Sequence, residues 1–387
     1  MSESRSDLRK RIIQFSVLCV LCVAGALSYV YYSRAKFAAP PAAPSSPPAT
    51  SEERNARAPT AKTSESTEKS AAAAKPQVAD KGAGDSDKTA ASKPVGDAKV
   101  FLLFRITALR ESYGQVGRMN VADPSAPVFT SALNCERLHF AAGSGLCLSA
   151  ERRIFAGYNA IIFNRDFAPR HQLRLNGMPT RVRVAPNGRH AAYTVFVSGH
   201  SYADASFSTL TSFVDLTSGE TLVEDMEKFT VTRDGERLQA PDFNFWGVTF
   251  KRNPNEFYAT LATGGRTFLV DGDLAARQAK LLRPDVECPA LSPDNNRLVF
   301  KKRIGGAMGQ AAWRLSVLDL RTRREQQLAE TRSVDDHVEW LDNDTVLYSL
   351  PAAQSGSGTD VWAIPVHGSG APRLLVPQAY SPVVMRE

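Results

Sequence analysis

The sequence carries few of the motifs that usually announce chemistry. It has no G-x-S-x-G elbow, no H-E-x-x-H, no glycine-rich phosphate loop and, outside the apolar run that holds Cys19 and Cys22, no cysteine pair at zinc spacing. Those absences remove the hydrolase, metallopeptidase and nucleotide-binding classes that such motifs mark. The six histidines are scattered, with no two inside one helical turn, so His139 and His337 read as hydrogen-bonded or surface residues rather than catalytic bases. Only five cysteines occur in 387 residues. Leu18 and Leu21 stand before Cys19 and Cys22, where a lipoprotein signal wants a small residue. Excess charge is also missing: residues 98–387 hold 33 basic against 30 acidic groups. The run Arg321-Thr322-Arg323-Arg324 reads as a solvated turn, so nucleic-acid binding has no support.

Two stretches are defined by what they leave out. Residues 12–32, IIQFSVLCVLCVAGALSYVYY, contain no charge over 21 positions, and ~20 apolar residues cross a bilayer as a helix. Residues 1–11 supply Arg5, Arg9, Lys10 and Arg11 ahead of it, which argues for a cytoplasmic N-terminus and an exported remainder. The rival reading is a cleaved signal peptide, because Ala24-Gly25-Ala26 is an acceptable cleavage site. The apolar run continues to Tyr32, which favours a retained anchor in the cytoplasmic membrane over release to the periplasm. Residues 33–97 are rich in Ala, Pro, Ser, Lys and Glu and have no aromatic residue after Phe37. Such a segment cannot bury enough apolar surface to order itself and reads as a flexible tether, roughly 45 Å from end to end.

What remains, residues 98–387, repeats. The stretch 288-CPALSPDNNRLVF has a polar turn between two apolar runs, with Pro293 preset for the second position of a type I turn. Similar hairpins occur at 138-LHFAAGSGLCLSA, 182-VRVAPNGRHAAYTV, 248-VTFKRNPNEFYATL and 338-VEWLDNDTVLYSL. Aligning the last apolar residue before each turn gives Phe140, Val184, Phe250, Leu291 and Trp340, and Val384 follows without a partner strand. The spacings are 44, 66, 41, 49 and 44. A second series, marked by Asp123, Asp166, Asp215, Asp271, Asp319 and Pro365, runs at 43, 49, 56, 48 and 46. Two interleaved six-member series predict an all-β fold, a six-bladed β-propeller in which each blade buries its neighbours' faces. A seven-bladed ring is the alternative, but the second series has no extra member. The first unit lacks a leading hairpin strand, so the orphan strand at Ser381–Met385 is expected to close the ring as its inner strand. The 66-residue gap contains 230-TVTRDGERLQAPDFN, expected to be a hairpin inserted on the third blade.

The segments SPDNNRLVF and APNGRHAAY resemble the S-P-D-G-x-x-[IL]-x-[FY] hairpins of TolB-like propellers, and VLDLRTRRE and VDLTSGE resemble the strands that follow them. The resemblance covers roughly residues 98–387. It implies a periplasmic or other extracytoplasmic location and a binding-scaffold role. An anchor and tether stand where TolB carries its N-terminal domain.

Geometry then limits the sites. With a turn at Ala142-Gly143-Ser144-Gly145, Cys147 faces Phe140 and Cys135 faces Arg152, leaving the sulfurs ~17 Å out of register. A disulfide needs Cα atoms within about 7 Å, so none is expected unless a bulge changes the register. Counting four residues back from each inner-strand marker gives Glu136, Thr180, Trp246, Glu287, Asp336 and Tyr380, all at one mouth of the central channel. The densest part is Asp335-Asp336-His337. This mouth is the expected binding site for a protein or glycan partner in the cell envelope, with no cofactor and the propeller as a monomer. The alternative is a metal-assisted hydrolase or lyase, with a divalent cation held in the channel by the mouth acids.

Overall fold

The computed structural model describes residues 99–126, 128–151, 157–197, 208–305, 311–353, 357–367 and 370–387, together with Ala24 and Ser28. The expected anchor and tether lie outside these residues apart from Ala24 and Ser28, both helical and exposed. Among the described residues no helix is long and apolar enough to cross a membrane. The unit comprising residues 89–387 contains the propeller.

Six sheets, antiparallel apart from one parallel pairing in the fourth, make the six blades, and each presents one strand to the central channel. The inner strands of blades 1 to 6 are Ala379–Arg386, Arg137–Ala141, Met178–Val184, Asn244–Phe250, Glu287–Leu291 and Glu339–Trp340. Each touches the next around the ring, and Ala379–Arg386 touches those of blades 6 and 2. The clasp is as expected: the C-terminal strand pairs antiparallel with Val100–Ile106, with Leu102 opposite Val384. The six inner-strand markers all lie in these strands.

The turn chemistry is visible in the hydrogen bonds. Asn295 donates its backbone N–H to the Ser292 carbonyl at 2.9 Å, closing a turn with Pro293 at its second position. In blade 3, Gly188 donates to the Ala185 carbonyl at 2.8 Å, and its φ of +70° is one that glycine adopts without penalty. Apolar clusters fill the joints between neighbouring blades, so each sheet is covered on both faces. The largest joins blades 3 and 4, where Phe213 lies 5.0 Å from Phe257 between ring centroids.

Two expectations need correction. The inserted hairpin, Thr230–Arg233 with Glu236–Leu238, extends the outer edge of blade 4 rather than blade 3. Thr230–Thr232 run parallel to Gln278–Lys280, so the hairpin reaches forward along the chain to a strand not yet made when sequence order is followed. The second correction is a disulfide between Cys135 and Cys147, with Cα atoms 5.4 Å apart. The turn is two residues long: Ala142 and Gly143 have φ of 44° and 83°, as in a type I′ hairpin. Cys147 therefore faces Leu138, not Phe140. In addition, Glu136 donates its N–H to the Leu148 carbonyl at 2.6 Å while Arg137 also pairs with Leu148. That bulge folds Cys135 back over the strand.

Candidate functional site

A repeated backbone device shapes the mouth at which the inner strands begin, here called the upper mouth. Gly247, Cys288 and Ser381 directly follow Trp246, Glu287 and Tyr380, and all three have positive φ, at 66°, 48° and 53°. The ladders of blades 4, 5 and 1 change register at these points. Such bulges turn a side chain away from its regular direction. At Gly247 the glycine is also required by space, because a Cβ there would lie 2.8 Å from the Cys288 Cα.

Thr180, Trp246, Glu287 and Asp335 line one cavity of about 220 Å³ at the upper mouth. Arg181, Phe196, Lys301 and Trp313 complete most of its wall. Glu287 is 8% exposed and accepts from the Trp313 indole N–H at 3.0 Å, with Lys301 3.8 Å away. Burial raises the Glu287 pKa, and Lys301 opposes that shift. Lys301 also pairs with Asp335, whose side chain is largely exposed.

The other expected residues sit elsewhere around the mouth. Glu136 pairs with Arg105 at 3.0 Å. Tyr380 lies under the Arg137 guanidinium, 4.3 Å from it to the ring centroid. Asp336 and His337 are not on a solvated rim; both are buried inside the channel. Asp336 accepts from Arg137 at 2.7 Å. Burial works to raise its pKa, yet Arg137 and the neighbouring positive groups hold it well below the usual carboxylate range. Burial, with Arg137, Arg183 and Arg181, pushes His337 well below its ordinary value despite Asp336, so its ring is neutral.

One step deeper, a second pair crosses the channel, between Arg183 of blade 3 and Glu339 of blade 6. Arg183 also donates to the Val338 carbonyl at 3.0 Å. Burial tends to raise the Glu339 pKa, but Arg183 and then His139 bring it down to about 2. His139 accepts the Val184 N–H on Nδ1 at 3.1 Å, and its Nε2 lies 2.9 Å from Arg183 Nη1 and 3.5 Å from Glu339. These pairs separate the upper cavity from a wider one of about 450 Å³ at the opposite mouth, beside Pro186, Pro293 and Trp340.

The mouth acids are therefore engaged by bases, and among the described residues no three His, Cys, Asp or Glu side chains converge as metal ligands would. Counting back along the strands missed the arginines that do this. Their signal was present: 137-RLH, 181-RVR and 337-HVE place charged or imidazole side chains at alternate positions of strands otherwise made for a core. Lys301 and Trp313 come from the second and third strands of blade 5 and carried no such signal.

Comparison with solved structures gives the fold its relatives. TolB from Acinetobacter baumannii aligns with a TM-score of 0.50 at 13% identity, over 74% of this chain and 66% of that one. The fold is that of a TolB-like propeller. A nidogen/laminin complex structure follows at 0.49 and 12% identity, over 74% of this chain and 98% of its own. An oligogalacturonate lyase in complex with manganese stands at 0.42 and 10%, over 68% and 71%. At these identities the likeness is one of architecture. No family model matches the sequence, and no curated protein matches it. The chain spans just under two thirds of the TolB structure, so a TolB-like propeller here means the ring alone.

Proposed function

We propose that this chain is a membrane-tethered, extracytoplasmic binding scaffold whose upper mouth receives a protein or glycan partner of the cell envelope. The observation that carries the reading is the cavity beside Trp246, where indole and phenyl walls meet paired charges on a rigid ring. Aromatic anchors in partly desolvated pockets dominate binding energy at interfaces, whereas rim charges chiefly set on-rate and specificity. A ring of short strands held by its own neighbours supplies the rigidity such a site needs. Residues 12–32 and 33–97 supply the anchor and tether in this reading, and the mouth acids, each held by a base, are positioned for recognition rather than for metal chemistry.

The test uses the full chain in detergent, with envelope extract as the source of partner. Trp246→Ala should weaken capture roughly 30-fold for a loss of ~2 kcal/mol, with an unchanged melting midpoint. Equal capture by parent and variant would move the docking face away from the upper mouth.

A further inference from the structure

The polar ends around the upper cavity are not all used. Arg181 enters from blade 3, donates Nη1–H to the Thr180 carbonyl at 2.8 Å and places Nε 3.4 Å from the Cys288 sulfur. Among the described residues no carboxylate pairs with it, and its Nη2 has no hydrogen-bond partner and is not sealed from the cavity. Its nearest strong acid in electrostatic terms, Asp336, is committed to Arg137 at 2.7 Å. Across the cavity in blade 5, Glu287 uses Oε2 for Trp313 and Lys301. Its Oε1 makes no hydrogen bond to the described residues and is not sealed, in a residue that is 8% exposed overall. Lys301 serves Glu287 and Asp335 together, so among the side chains lining the cavity that wall carries two carboxylates and one ammonium, with Arg303 acting on Glu287 from outside the lining. The cavity is thus neutral in sum and dipolar in layout: a free guanidinium end on one side, a free carboxylate end on the other, and Trp246 from blade 4 between them.

We infer that the upper cavity binds a small zwitterion of the α-amino-acid class, its carboxylate on Arg181, its ammonium on Glu287 and Asp335, and its side chain against Trp246. The inference rests on the upper mouth being the ligand face. A volume of about 220 Å³ lies below the ~300–1,000 Å³ of sites for drug-sized ligands, which suits a single amino acid. Opposed unpaired ends also select against ligands carrying one charge, because each such ligand leaves one buried group without a partner.

Calorimetry on the full chain in detergent decides it, with L-phenylalanine, phenethylamine and 3-phenylpropionate as probes. L-phenylalanine should bind roughly tenfold or more tightly than either single-charge analogue, the loss expected for one charged hydrogen bond. Glu287→Gln should bring it down to the level of 3-phenylpropionate, and Arg181→Gln to that of phenethylamine. Arg181→Lys keeps the charge without the planar fork and should retain part of the affinity, which covers the case in which Arg181→Gln does not fold. No measurable binding of L-phenylalanine, equal binding of the three probes, or folded variants that bind like the parent would overturn the inference. Partner capture measured on the parent and Trp246→Ala separates the two readings. Capture that depends on Trp246 without binding of L-phenylalanine sinks only the zwitterion, and the reverse sinks only the macromolecular partner.

Discussion

Asp336 is 4% exposed and Arg137 7%, and their 2.7 Å contact ties blade 6 to blade 2 across the channel. Arg183 and Glu339 do the same between blades 3 and 6. Such pairs add little net stability over well-packed apolar residues, since two charges must be desolvated, but each partner is costly to remove alone. Asp336→Asn should therefore destabilise the ring by about 3–5 kcal/mol by leaving Arg137 buried and unpaired. The double variant Arg137→Met with Asp336→Leu should recover most of that loss. Denaturant melts of the parent, Arg137→Met, Asp336→Leu and the double variant measure the coupling, and additive losses would show that the pair does not act as a unit. Sequence counting placed Asp336 at the mouth because it assumed regular strands. The inner strand of blade 6 is only Glu339–Trp340, so residues 335–338 enter it as irregular chain and bury the carboxylate. That departure has no marker in residue type.

At the scale of elements, hairpins were legible where turn residues force the backbone. Pro293 and Gly188 do so in blades 5 and 3, and the clasp followed from an apolar strand with no sequence neighbour to pair with. Register was not legible where a two-residue and a four-residue turn share the letters Ala-Gly-Ser-Gly. The choice between them moved Cys147 by two positions, and the bulge at Glu136 did the rest. The inserted hairpin was misassigned for a related reason: its parallel pairing with Gln278–Lys280 is a non-local contact that periodicity does not encode. The clasp carries the clearest consequence. Removing residues 380–387 would strip most of the inner strand from blade 1, leave Val100–Ile106 as an unpaired edge and open the contacts to blades 2 and 6. Unpaired edges recruit other chains. The truncated protein should aggregate or melt far below the parent, and equal melting would mean that the ring does not depend on this strand.

For the whole molecule, ring and N-terminal segment make separable demands. The propeller is neutral within three charges over residues 98–387, so it has no strong electrostatic pull of its own toward an anionic membrane surface. In the proposed reading, attachment comes from residues 12–32, whose 21 uncharged positions match the thickness of a bilayer core. A peripheral protein held by charge leaves a membrane in high salt, whereas a spanning helix does not. The full chain should therefore stay in the membrane fraction after a high-salt wash, and a reporter fused after Glu387 should be active only outside the cytoplasm. A soluble product beginning at Leu27 would instead establish cleavage at Ala24-Gly25-Ala26. In the proposed reading, residues 12–32 hold the chain at a membrane, and residues 33–97, by composition a flexible coil, set how far away a captured partner can be. Partner capture would then favour envelope components within that reach, because tethering raises effective concentration without any new contact.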